Sequence, residues 1–244
     1  MPTALISGAA NGLGAAFLEA YGKDEKNSII AIDRETLNPP PTVASHKLQT
    51  FKVDISSQDS INAFASSIKD QQIDLFIHSA GIRGLVPAVE QARPDNVAAC
   101  ETMDVMDFDT LTRTFQINSA GTFMLVRSVL PNLRKAQGKV VVLSSRMGSV
   151  GNNQRPNKDA GSAYAYRASK AALNTIVRSF AADVTDVSFI LCHPGRVETK
   201  LVKCKEEGAI TAEAAVASLL PLIALWGLND SGKFYDRFGD AIEW

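Results

Sequence analysis

The sequence predicts an α/β protein: a single doubly wound domain on a parallel sheet of about seven strands, with helices on both faces. Three observations predict it. Short apolar runs without polar alternation recur along the chain, as in Ile29-Ile30-Ala31-Ile32 and Val140-Val141-Val142-Leu143, and such strands are covered on both faces. Segments of helical periodicity alternate with them, the pattern of repeated βαβ units. The 244 residues contain no linker and no internal repeat, so residues 1–244 are read as one domain, long enough to bury a large core.

Taken in order, residues 3–7 form the first strand, which runs directly into Gly8-Ala9-Ala10-Asn11-Gly12-Leu13-Gly14. Residues 12–23 form the helix opened by that turn. Residues 28–32 make a strand ending at Asp33, and Pro39-Pro40-Pro41 makes a loop. Residues 48–53 form a strand ending at Asp54, 57–71 a helix and 73–78 a buried strand. A long loop, 82–106, follows. Residues 107–136 read as a helix interrupted or bent near Pro131, because proline withholds a helix donor. Residues 138–145 form the fifth strand, 163–183 a helix, 187–193 the sixth strand, 211–227 a helix and 233–235 a short last strand.

The composition excludes several classes. A net charge of −1 with no basic run gives no reason to expect nucleic acid or an anionic membrane as partner. No apolar run approaches the roughly 20 residues that span a bilayer. The opening Met1-Pro2-Thr3-Ala4-Leu5-Ile6-Ser7 lacks the charged and apolar regions of a signal peptide. Cys100, Cys192 and Cys204 match neither a metal spacing nor a disulfide framework, so the expectations are no metal, a reducing compartment and a cytoplasmic location. Cys192, in an apolar strand, reads as plain core.

The chemistry concentrates in Tyr166-Arg167-Ala168-Ser169-Lys170. Positions i and i+4 share a helix face, so the Tyr166 phenol and the Lys170 ammonium are neighbours. A free phenol titrates near pH ~10, and a cation beside it lowers that value toward the working range of a general acid/base. The glycine-rich turn after the first strand supplies a second half. Gly8 permits a sharp turn, Gly12 keeps a side chain away from a pyrophosphate, and Gly14 permits close helix packing. The helix N-terminus offers N–H groups to the phosphates. Asp33, after the second strand, is placed to accept from ribose hydroxyls and to repel a 2′-phosphate. This favours NAD; Arg34, whose guanidinium can pair with that phosphate, keeps NADP as the alternative.

Seven ordered motifs carry a resemblance: Gly8-x-x-x-Gly12-x-Gly14, Asp54-Ile55, Ser79-Ala80-Gly81, Asn118-x-x-Gly121, Ser145-x-x-Gly148, Tyr166-x-x-x-Lys170 and Pro194-Gly195. On these the chain resembles the short-chain dehydrogenase/reductase family over essentially its whole length. Ser144–Ser149, Tyr164–Asn174, His193-Pro194-Gly195 and Trp244 resemble the C-factor/sniffer-like carbonyl reductase subgroup. The resemblance implies a Rossmann-type fold and a tetrad of Asn118, Ser145, Tyr166 and Lys170. Tyr166 is then the acid/base, Lys170 lowers its pKa and holds the nicotinamide ribose, Ser145 polarises the substrate oxygen, and Asn118 anchors a water. The implied cofactor contacts are Gly8, Asn11, Gly12, Leu13, Gly14, Asp33, Arg34, Asp54, Ile55, Ser79, Ala80, Gly81, Asn118, Tyr166, Lys170, Pro194, Gly195, Val197 and Thr199.

The implied activity is hydride transfer between a nicotinamide cofactor and a small or medium alcohol, ketone or aldehyde. The alternative is a nucleotide-binding signalling protein with little turnover. Substrate specificity is expected from loop 82–106, which includes Arg83, from Arg146 and Met147 beside Ser145, and from the segment 199–211, where Lys200, Lys203 and Lys205 are read chiefly as solvated surface. A homo-oligomer, dimer or tetramer, is implied through the helices at 107–136 and 163–183. Two departures stand out. His78 occupies a position where the family has asparagine, and is read as a satisfied core histidine. Ser145 and Tyr166 are 21 positions apart, where the family commonly has about a dozen; the polar segment 151–159 reads as a surface loop, with closure over the site as the alternative.

Overall fold

The computed structural model describes residues 2–244 apart from Pro39, Thr42, residues 158–160 and Lys205. The first residue of the proline loop, the end of the polar loop and one lysine of the 199–211 segment thus lie outside the described residues. Seven strands, β1 (Thr3–Ser7), β2 (Ser28–Asp33), β3 (Leu48–Lys52), β4 (Leu75–His78), β5 (Lys139–Leu143), β6 (Ser188–His193) and β7 (Phe234–Asp236), form one sheet in the order β3-β2-β1-β4-β5-β6-β7. Every ladder is parallel. The order reverses between β1 and β4, and ligands of such sheets bind at the carboxyl edge beside that reversal.

The helices are α1 (Gly12–Gly22), α2 (Gln58–Ser67), α3 (Pro87–Ala92), α4 (Phe108–Phe115), α5 (Thr122–Ala136), α6 (Tyr164–Asp183) and α7 (Ala212–Leu225). Successive strand residues point to opposite faces and feed two cores. Leu5, Ile30, Phe76, Val140, Val142 and Leu191 meet Leu125, Val129, Leu133 and Val177 of α5 and α6. Ile6, Ile29, Ile77, Val141, Ile190 and Cys192 meet Phe17, Leu18, Leu219 and Ile223 of α1 and α7. Burying one such large side chain is worth about 1.5–3 kcal/mol, against less than about 1 kcal/mol for most helix-propensity differences. The strands therefore set the frame, and Cys192 is part of it.

Three helix starts are fixed locally. Ser57, Asp107 and Thr211 each accept a backbone N–H three residues on, from Ser60, Thr110 and Ala214, satisfying donors that the first turn leaves over.

Two expectations change. Loop 82–106 contains α3 and a 3₁₀ turn at Ala98–Cys100. The helix expected over 107–136 is interrupted, but at a π-helical turn, Gln116–Gly121, and not near Pro131. Pro131 is exposed within α5; it withholds a donor from the Arg127 carbonyl on the solvent side, where water can replace it. The π turn instead follows from packing. A Cβ on Gly121 would lie 2.5 Å from the Ile55 carbonyl oxygen, so the helix meets the β3–α2 connection backbone to backbone. Among the described residues no helix is long and apolar enough to cross a membrane.

Candidate active site

A cavity of about 790 Å³ follows the carboxyl edge of the sheet across the β1/β4 reversal. At one end it is lined by Gly8, Asn11, Gly12, Leu13, Asp33, Arg34, Asp54 and Ile55, and at the other by Ser79, Ala80, Gly81, Ser145, Tyr166, Lys170, Pro194, Gly195, Val197 and Thr199. Four expected residues are not part of this lining: Arg146 and Met147, and Gly14 and Asn118, which stand behind it against Gly8 and Gly81. Arg113, Gln116, His193 and Leu201 also line the cavity; His193 belongs to the His193-Pro194-Gly195 motif and Leu201 to the segment 199–211, while no local motif pointed to Arg113 or Gln116.

The glycine turn is packed at backbone contact. Gly8 has φ +70°, and a Cβ there would lie 2.8 Å from the Ala80 nitrogen, so the turn seats against the segment after β4. A Cβ on Gly14 would lie 2.0 Å from the Gly8 carbonyl oxygen. The Asn11 side chain does not cap α1 and no acid lies in its first turn, which leaves its leading N–H groups facing an anion-compatible space. The Asp33 carboxylate is locked beside the turn, accepting from the Ala10 N–H and the Glu35 N–H, both at 3.0 Å. Arg34 is exposed and lies 3.9 Å from the Glu35 carboxylate.

At the other end α6 presents Tyr166 and Lys170, both buried. The Ser145 hydroxyl lies on the phenol's side of the cavity, where it favours the ionised phenol, and accepts the Met147 N–H at 3.2 Å. The turn after Ser145 lies directly on α6, because a Cβ on Gly148 would come within 2.8 Å of the Lys170 backbone. Lys170 Nζ donates to the Leu143 carbonyl at 2.9 Å and sits 5.7 Å from the centre of the Tyr166 ring.

Burial, not the lysine, dominates the phenol. It pushes Tyr166 up from its ordinary value, against the lowering influence of Arg83 and of the Ser145 hydroxyl. Burial also brings Lys170 down to about 8. The expectation that Lys170 sets a lowered Tyr166 pKa is corrected: with both groups out of water, desolvation outweighs the neighbouring charge.

The Asn118 side chain, in the π turn, spends its groups on protein. Its Oδ1 accepts the Ile82 N–H at 2.8 Å, and its Nδ2 donates to the Ile82 carbonyl at 2.8 Å and to Ser169 Oγ at 3.0 Å. It therefore clamps the segment after β4 to α6. His78 forms a second clamp, with Nδ1 2.8 Å from Ser7 Oγ and Nε2 2.8 Å from Thr122 Oγ1. Thr122 donates its own proton to the Asn118 carbonyl, so Nε2 carries the ring proton and Nδ1 accepts. Burial holds this histidine down to about 3. It is a satisfied core histidine.

The residues named for specificity divide. Arg146 turns to Asp236 at 3.1 Å, and Met147 presents its sulfur to Arg83 Nη1 at 3.4 Å. Lys203 pairs with Glu90 at 3.5 Å, while Lys200 lines the cavity. The polar loop after Ser149 begins pinned to the C-terminus, where the Gly151 N–H donates to the Trp244 carbonyl at 2.8 Å. Arg83 was legible only as a member of loop 82–106. It is largely shielded and lies over Tyr166, its Cζ 4.9 Å from the ring centre, and is held by Glu101 through two bonds of 2.9 Å. A cation directly after the Gly81 turn, with an acid at the far end of the same loop, was the available signal.

A doubly wound sheet with a bare-backbone turn at its reversal and a buried Tyr–Lys–Ser cluster defines a nucleotide-dependent oxidoreductase. The chain belongs to the short-chain dehydrogenase family, whose model, described as short chain dehydrogenase, matches residues 2–209. It is 35% identical over 187 residues to the C-signal of Myxococcus xanthus, covering 75% of this chain and 100% of that protein. It is 33% identical over 198 residues to 1-hydroxy-2-glutathionyl-2-methyl-3-butene dehydrogenase of Rhodococcus sp. (strain AD45), covering 79% of this chain and 78% of that one. In fold it is similar to the carbonyl reductase Sniffer of D. melanogaster, with a TM-score of 0.82 and 22% identity over the full length of both chains.

Proposed function

We propose that this protein is an NAD(P)-dependent oxidoreductase that interconverts a small or medium alcohol with its ketone or aldehyde, with NAD preferred. One observation carries the reading: Tyr166, Ser145 and Lys170 converge in the same cavity that ends at the Gly8–Gly14 turn and Asp33. The cradle fits a dinucleotide, since the turn bares its backbone and Asp33 is held rigidly where ribose hydroxyls would lie. When bound, a nicotinamide supplies or accepts the hydride.

The remaining work falls to side chains of this chain. Ser145 Oγ holds and polarises the substrate oxygen. Tyr166 Oη gives that oxygen its proton in reduction, or takes it back in oxidation. Burial raises the phenol above its ordinary value, so Tyr166 carries the proton it gives in reduction and recovers in oxidation. Lys170, fixed on the Leu143 carbonyl, orients the ribose beside the phenol. Asn118 keeps the β4 segment and α6 in register. Residues 82–106 and 199–211 border the substrate through Arg83, Lys200 and Leu201, which line the cavity, whereas Arg146 and Met147 face Asp236 and Arg83.

The preference for NAD rests on Asp33, whose two oxygens are fixed by Ala10 and Glu35. Exposure of Phe108, Leu111 and Phe115 on α4 and of Phe123 on α5 supports a homo-oligomer. A cytoplasmic location agrees with three unpaired cysteines. The second reading, a nucleotide-binding signalling protein, is favoured by the likeness to C-signal. Fluorescence titration with NADH and NADPH, followed by turnover assays on Tyr166→Phe, tests both readings. The enzyme reading expects cofactor binding to survive and turnover to fall by about 10²–10⁴; binding of neither cofactor by the unaltered protein overturns it.

A further inference from the structure

We propose that Arg83, clamped by Glu101, is a positioning residue for Tyr166: the ion pair holds a guanidinium against the phenol ring and sets the proton affinity of the acid/base. This rests on the reading of Tyr166 as the acid/base and goes beyond it, because it assigns the controlling charge to a residue outside the Asn118, Ser145, Tyr166 and Lys170 set. The pair is unusual for a loop. The Arg83 and Glu101 side chains are only 12% and 7% exposed, and a buried ion pair gains little stability over apolar residues of the same volume. Its geometry is specific nonetheless. Two parallel bonds of 2.9 Å fix the guanidinium plane, and Met147 Sδ takes Nη1 at 3.4 Å.

Glu101 is tied to the same helix by its backbone. Its carbonyl accepts the Ala163 N–H at 2.9 Å and the Ser162 hydroxyl at 3.1 Å. Ser162 and Ala163 both have positive φ, 51° and 50°, a conformation that costs non-glycine residues free energy and persists only where surroundings enforce it. One residue thus holds the start of α6 through its carbonyl and the cation over Tyr166 through its carboxylate.

The charged and polar groups facing the phenol come from five places: Lys170 on α6, Arg83 after β4, Glu101 after the 3₁₀ turn, Ser145 after β5 and Glu206 in the 199–211 segment. Lys170 is spent on the Leu143 carbonyl, whereas Arg83 lies over the ring. Arginine stays protonated throughout the working range, so its charge on Tyr166 does not fade as pH rises. That of Lys170, brought down to about 8, does.

The sign of each substitution follows. Removing the Arg83 charge raises the Tyr166 pKa; Glu101→Gln removes an opposing negative charge but keeps an oxygen that accepts from the guanidinium, so Arg83 stays over the ring and the pKa falls. The test uses Arg83→Met, Arg83→Lys, Glu101→Gln and the neutral pair R83M/E101Q, which avoids a lone buried carboxylate. Tyrosinate absorbance is titrated in each protein, with Tyr166→Phe as the blank, and kcat/KM is followed against pH. We expect the Tyr166 midpoint to move up by about one pH unit or more in Arg83→Met and down in Glu101→Gln. Arg83→Lys should return it most of the way, and the double variant should lie between the single ones.

An unmoved midpoint in all four, or shifts of one sign in both single variants, overturns the proposal. A uniform fall in kcat/KM without movement of the pH limb also overturns it, because that is all a packing role would give. The absorbance titration needs no turnover, so loss of the oxidoreductase reading is distinguishable from loss of this one.

Discussion

His78 Nε2 lies 2.8 Å from Thr122 Oγ1, joining the end of the central strand β4 to the first residue after the π turn that carries Asn118. With the Ser7 bond on the other ring nitrogen, the imidazole spans β1, β4 and α5 where the family places an asparagine. Burial keeps it neutral, down to about 3, against about 6.5 in an unfolded chain.

The sign of the resulting pH dependence is fixed. Between about 6.5 and 3 the unfolded chain binds the proton that folded His78 refuses, so stability is complete above that window and is lost as pH falls through it. The expected slope from this residue is about 1.4 kcal/mol per pH unit. Urea midpoints measured from pH 7 to 4 should fall steeply for the unaltered protein and less so for His78→Asn, which has no proton to take up there.

Asn118→Ala should disturb stability and turnover together. It leaves the Ile82 N–H and carbonyl without their partner, at about 1–3 kcal/mol for each buried group left unpaired. A lowered melting temperature with a kcat loss exceeding any KM change is the expected outcome. An unaltered melting temperature would mean that the clamp contributes nothing.

Asp33→Ser should relax the cofactor preference. Without the carboxylate the 2′-phosphate is no longer repelled, and Arg34 lies next to the vacated position. The Kd ratio of NADPH to NADH should fall about tenfold, or about 1.4 kcal/mol, read by nicotinamide fluorescence. A constant ratio would remove Asp33 as the discriminating residue.

Phe108→Asp should change assembly without harming the fold. Phe108 is 80% exposed, and surface substitutions of this kind usually alter stability by less than about 0.5 kcal/mol. Sedimentation velocity should show an oligomer for the unaltered chain and a shift toward monomer for the variant. A monomeric unaltered protein would refute the interface on α4.

The parallel sheet and its roughly seven strands were legible in the sequence; the strand order that puts the reversal between β1 and β4 was not. Runs such as 139–143 and 188–193 are apolar on both faces, and only a sheet covered on both sides buries them. Gly8 and Gly12 directly after the first strand, with Asp33 after the second, stood out by local spacing alone and line one end of the cavity. The i, i+4 pairing of Tyr166 and Lys170 located the other end. What only the tertiary structure decided is which long-range neighbours those groups meet. The π turn at Gln116–Gly121 depends on Gly121 meeting Ile55. The cation over Tyr166 comes from Arg83, held by Glu101 through a loop whose course no periodicity encodes. The raised phenol reflects desolvation by the whole fold, a quantity set by every element packed around Tyr166 and therefore absent from its local sequence.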